Sequence, residues 1–168
     1  AQASAASWAP QAGEWAFADG GYAQTQLGRY DLVSLFNRKI EGTYRFQADL
    51  KFLEGEMGGG IVFNAPNAGS KNGAQMVSYS EKGNYLQWGQ FDDQGTFQFK
   101  GGSPVPNGAD GQWHTLAVTV AGASYKVELD GKAIVADVPL GSTSGQVGLF
   151  DSTSHVLFDN VKLENVQP

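Results

Sequence analysis

The sequence predicts an all-β domain, a sandwich or barrel of short antiparallel strands. About a dozen segments read as strand candidates, at the spacing sandwich strands show, and the clearest of them alternate apolar and polar residues with a period of two. Glycine is abundant, 23 against 6 prolines in 168 residues, and 12% of the chain is aromatic, a balance that suits many strands and tight turns. Helical periodicity never establishes itself.

The elements follow in order. Trp8, Trp15 and Phe17 sit among small residues, and residues 13–22 read as a short strand closed by a turn. Residues 24–31 are polar, and the apolar run 32–36 suits a strand or a brief helical turn. Tyr44, Phe46, Ala48, Leu50 and Phe52 then alternate with Arg45, Gln47, Asp49 and Lys51, a strand with one wet side. The glycines around residues 55–60 predict a loop before the apolar run at 61–64, and residues 65–73 form a long turn. Strands are expected at 74–80 and 85–91, then at 96–100 after the turn 92–95, followed by a loop over 101–111.

Residues 113–135 read as a meander. His114, Leu116, Val118 and Val120 share one face, and after the turn 121–124 so do Tyr125, Val127 and Leu129, leaving Lys126, Glu128 and Asp130 to water. Asp130-Gly131 suits the positive dihedrals of a two-residue turn. Trp113 reads as a sheet anchor. Residues 145–151 and 155–163 supply two closing strands.

Composition narrows the chemistry. The chain is long enough for one domain with its own core. A net charge of −6 argues against binding polyanions through a general field, so no nucleic-acid partner is expected. The absence of cysteine removes disulfides, thiolate metal sites and cysteine nucleophiles. No apolar run approaches the roughly 20 residues of a membrane span. Residues 1–7, rich in Ala and Ser, read as a leader remnant or a linker, with residues 8–168 as one domain, secreted or at the cell surface.

The motifs W-x-F-x-D-G-G-Y, G-G-G-I-V-F-N, Q-W-H-T-L-A-V-T-V, Y-K-V-E-L-D-G-K, G-Q-V-G-L-F and V-L-F-D-N-V-K-L together resemble the concanavalin A-like lectin/glucanase superfamily. Within it the pattern is most similar to laminin G-like domains, family 66 carbohydrate-binding modules and 3-keto-disaccharide hydrolase-like domains. The resemblance implies a two-sheet antiparallel jelly roll whose concave face binds sugar. It also implies a structural calcium ion. In several sugar-binding jelly rolls the last strand carries Asp-Asn/Asp-Val, here Asp159-Asn160-Val161, which Asp19 near the front would approach. The Glu-x-Asp-x-Glu strand of the glucanases is missing. Glu54-Gly55-Glu56 comes nearest to the paired carboxyls that glycoside hydrolysis needs, with a solvated loop as the competing account.

Sugar recognition sets aromatic rings against apolar sugar faces and borders them with amides and charges. Residues 64–93 hold that mixture. Alternation puts Gln75, Val77 and Tyr79 on one face, likewise Leu86, Trp88 and Gln90, and leaves Tyr85, Gln87 and Phe91 on the opposite one. The expected site is Trp88 as platform, Tyr79 beside it, and Gln90, Asn64 and Arg38 for hydroxyls; sandwich core, turn capping and solvation are the competing roles. The sequence therefore predicts a noncatalytic carbohydrate-binding, lectin-like module. A glycoside or 3-keto-glycoside hydrolase and a laminin G-like protein-interaction domain stand as alternatives.

Overall fold

The computed structural model describes residues 5–166. Of the expected leader or linker, residues 1–4 lie outside the described residues and Ala5–Ser7 form a 3-10 turn. Twelve strands follow, with no α-helix among the described residues: β1 (Trp8–Pro10), β2 (Trp15–Ala18), β3 (Gly21–Gln24), β4 (Leu32–Ile40), β5 (Tyr44–Ala65), β6 (Gln75–Tyr79), β7 (Tyr85–Phe91), β8 (Phe97–Pro104), β9 (His114–Ala121), β10 (Ser124–Leu129), β11 (Lys132–Pro139) and β12 (Gly145–Asn165).

Two long strands build both layers of a jelly-roll sandwich. β5 and β12 run antiparallel along their length and exchange other partners halfway. In the first layer the early half of β5 pairs with β9 and the late half of β12 with β3, giving the order β2-β3-β12-β5-β9-β10-β11. In the second the order is β1-β4-β12-β5-β6-β7-β8. The loop expected around residues 55–60 is instead continuous strand, bent where Gly55 and Gly58 adopt φ of 137° and 106°. The two closing strands are likewise one, β12, whose register shifts between Ser152 and Ser154. Glycine permits the bend in β5 because no Cβ opposes the positive dihedral, whereas in β12 it is Thr153 that takes a positive φ, 54°.

The core lies between the layers. Tyr44, Phe46, Ala48, Leu50 and Phe52 of β5 are buried with Leu116, Val118 and Val120 of β9 and Tyr125, Val127 and Leu129 of β10. Facing them from the second layer are Ile61, Phe63, Val77, Tyr79 and Leu149. Phe63 meets Tyr125 edge to face with centroids 4.9 Å apart, and Phe52 meets Tyr79 at 5.8 Å, so rings interlock across the gap.

Polar groups tie the ends of the sandwich. His114 joins the carboxylates of Asp130 (2.9 Å) and Asp110 (3.1 Å). Burial alone would lower its pKa, but these hydrogen bonds and charges outweigh it and the value rises. Trp113, expected to anchor the sheet, is 41% exposed just before β9 starts. Where the layers join, Gln24 Nε2 donates to Asp151 Oδ2 and to the Ser154 carbonyl (2.9 Å). Asp151 is fully buried, and its pKa is pushed up to about 8, chiefly by that burial, against the pull of its hydrogen bonds and with some help from the charge of Glu81.

Candidate functional site

The structure turns the expected platform inward. Trp88, 9% exposed, belongs to the inter-layer core, its indole lying so close to Gly101 that a Cβ there would stand 2.8 Å from the ring. Tyr79 is wholly buried, donates to the Pro106 carbonyl at 2.7 Å, and has its pKa pushed up to about 12 by that burial and by the charges of Asp130 and Asp110. Gln90 shares this inward face. Its Oε1 accepts from Lys100 Nζ at 3.1 Å, and the same ammonium reaches the Pro139 carbonyl at 3.4 Å, which closes the rim. Asn64 is buried as a latch that accepts from Tyr44 Oη at 2.6 Å and donates to the Ser142 carbonyl at 2.7 Å. Arg38 is exposed near the end of β4. These five residues do not converge on one surface.

The opposite face of the same strands does converge. Register aligns Phe150, Gly60, Ser78, Gln87 and Gly102 in one row across β12, β5, β6, β7 and β8. Toward one end this outer face is apolar: Val33, Leu35, Val62, Met76, Phe91 and Phe150 are buried there, with the Lys71 ammonium 4.1 Å over the Phe91 ring. Toward the other end it is polar and uncovered. Gly60 in that row is buried within the sheet and has no room for a side chain, since a Cβ would stand 2.0 Å from the Val77 carbonyl oxygen. Glycine at 102 lets the Tyr85 ring fold back over β8, since a Cβ would come within 2.5 Å of its ring atoms.

The result is a trough of about 430 Å3. Met57 and Tyr85, 46% and 36% exposed, supply its apolar surfaces. Ser78, Ser80 and Gln87 supply hydroxyls and an amide, and Glu56 and Lys82 supply opposite charges. Ser80 Oγ accepts the Gly83 N–H at 2.7 Å, which fixes the hydroxyl and leaves its own proton to donate outward. This is the chemistry of a site for an amphipathic, many-hydroxyl ligand. Glu56 is the one carboxylate lining it among the described residues; Glu54 stands across from His155 on the far side of the Gly55 bend.

The residues expected to hold calcium do come together, since Asp19 and Asp159 line one cleft of about 390 Å3 between the β2–β3 hairpin and residues 158–162 of β12. The donor set fits a hard cation poorly. Asp159 Oδ1 already accepts the Asn160 N–H at 2.7 Å, the cleft also contains Lys162, and no group of three or more His, Asp or Glu able to hold a metal occurs among the described residues.

Solved structures share this architecture. The carbohydrate-binding module CBM66 from Bacillus subtilis superposes with a TM-score of 0.85 at 19% identity, over 95% of this chain and 96% of that one. The Crh5 transglycosylase in complex with NAG gives 0.72 at 13% identity, over 98% and 81%. The VIP36 exoplasmic/lumenal domain, in a metal-free form, gives 0.68 at 10% identity, over 96% and 86%. At these identities the likeness is one of fold. No curated protein matches the sequence. A family model does match, over residues 3–164, and by it the chain belongs to the 3-keto-alpha-glucoside-1,2-lyase-like domain family.

Proposed function

We propose that this protein is a carbohydrate-binding module that holds an oligo- or polysaccharide in the outer-face trough of the second layer. The observation that carries the reading is the exposed Tyr85 ring beside Met57, bordered by Ser78, Ser80, Gln87, Glu56 and Lys82. An aromatic face takes the apolar side of a sugar ring, while fixed amide, hydroxyl and charged groups meet its hydroxyls. Backbone on a paired sheet needs no ordering when ligand arrives, so little binding free energy is lost to entropy. The similarity to carbohydrate-binding and lumenal domains supports a secreted or cell-surface location for such a module.

A screen over immobilised neutral glycans tests this. The wild type should bind at least one class, and Tyr85→Ala should weaken that binding about tenfold or more with the thermal midpoint unchanged, in line with one stacking contact plus its ordered neighbours. Equal binding by both proteins would remove the trough from the account. The family's description favours a second reading, turnover of a 3-keto-glycoside in the same trough with Glu56 as the proton acceptor. Product release from a 3-keto-disaccharide, abolished in Glu56→Gln, would establish it.

A further inference from the structure

The cleft that gathers Asp19 and Asp159 shares no residue with the trough and is made by other strands. It opens between the β2–β3 hairpin and residues 158–162 of β12, with Trp8 of β1 at its side. Its apolar wall is a column of rings: Phe17 lies on Tyr22 at 4.8 Å, and Tyr22 stacks on Trp8 at 5.6 Å. Trp8 and Tyr22 are buried, whereas Phe17 is 47% exposed and presents its ring to the cleft. The other wall is polar, with Asp19, Asp159, Asn160 and Lys162.

These polar groups are held in place. Asp19 and Asn160 both have positive φ, 52° and 46°, Asp19 in the tight turn of the hairpin and Asn160 where the β12 register shifts. Asn160 Nδ2 donates to Asp49 Oδ2 at 2.8 Å, which pins the segment to β5. We infer that this cleft is a second saccharide-binding site, taking a single pyranose or furanose unit with its apolar face on Phe17 and its hydroxyls between the two carboxylates and Lys162. The volume of about 390 Å3 suits a ligand of that size. Acceptors and a donor facing one ring match a neutral polyol better than a bare cation, which Lys162 would repel, or a peptide strand, which would need an uncovered edge.

The inference rests on the carbohydrate reading of the trough for its ligand class, and on the cleft's own geometry for its place. Two separate sites on one rigid body would let a single polysaccharide chain be held twice, or two chains be bridged, with a gain in avidity that needs no new contact.

Titration of the isotope-labelled protein with a panel of neutral gluco-, galacto-, manno- and fructo-oligosaccharides, followed by amide chemical shifts, separates the two. One saccharide should shift both the Tyr85–Gln87 group and the Phe17, Asp19 and Asn160 group. Phe17→Ala, and independently Asp19→Asn, should weaken only the second set by about tenfold, while Tyr85→Ala weakens only the first. Shifts confined to the trough would overturn the second site and leave the first. Shifts confined to the cleft would support the second site and overturn the first. Cleft shifts on adding calcium chloride alone, with none on adding sugar, would make it a cation site and overturn the inference.

Discussion

Replacing Asp151 by Asn should remove the largest part of the protein's loss of stability as pH rises through neutrality. The carboxyl is fully buried at the junction of the layers, and its Oδ1 has no hydrogen-bond partner. Burial pushes its pKa from 3.8 to about 8, so it stays protonated in the fold at pH values where the unfolded chain has long ionised. The sign follows directly. With the folded pKa raised, the stabilising contribution is complete below about pH 4 and is lost as pH rises through about 8. Some four pH units at about 1.4 kcal/mol each set a ceiling of roughly 6 kcal/mol on that loss. Asn keeps the shape and accepts from Gln24 Nε2 but cannot ionise. It leaves an N–H without a partner, at a cost of about 1 kcal/mol. The variant should therefore be about 1 kcal/mol less stable than wild type at pH 4 and several kcal/mol more stable at pH 8. Urea unfolding followed by tryptophan fluorescence, in half-unit steps from pH 4 to 8.5, reads both curves. Parallel curves for the two proteins would refute the reasoning.

Other predictions follow from single contacts. Tyr125 is buried with its hydroxyl unpartnered, so Tyr125→Phe should raise the unfolding free energy by about 1–2 kcal/mol while the ring keeps its contact with Phe63; a loss of that size would contradict it. Gly102→Ala should drive the Tyr85 ring off β8, weakening saccharide binding about tenfold while the denaturation midpoint stays within about 0.5 kcal/mol, and calorimetric titration beside a melt would show any departure. The His114 pKa is raised, so its two ion pairs stabilise fully at acid pH and fade as pH climbs through that raised value; His114→Asn should flatten this part of the profile, seen most clearly in the Asp151→Asn background.

Most of the fold was legible because alternation is a direct imprint of a half-buried strand. The β9–β10 hairpin carries it cleanly: the structure buries every residue assigned to its inward face, and on the opposite face Ala117 alone is buried while Trp113, Thr115, Thr119, Lys126, Glu128 and Asp130 stay partly or wholly outside. The turns Asp19-Gly20 and Asp130-Gly131 adopt the positive dihedrals their residues invite. The bends in β5 and β12 were hidden, since a glycine cluster signals a break in pattern and cannot say whether the strand stops or turns into the second layer. The site was half legible. The two faces of β7 were separated correctly, yet the ring of Trp88 drew the platform to the apolar side. With period two, that choice moves every side chain at once. Leu86 and Trp88 are the apolar pair and face the core; Tyr85 and Gln87 are amphipathic and polar, and face out. Ser78, Ser80 and Lys82 escaped notice because what makes them a site is the pairing that sets Ser78 across from Gln87 and brings them beside Tyr85 and Met57, a property of register that one-dimensional pattern does not carry.

The two faces of β7 also provide the decisive comparison. Gln87 and Gln90 have the same chemistry three residues apart, one lining the trough and the other turned inward beneath Lys100. Titration calorimetry of Gln87→Ala and Gln90→Ala against the saccharide bound by wild type should show affinity lost about tenfold in the first and unchanged in the second. Affinity lost in the second and kept in the first would contradict the outer-face site.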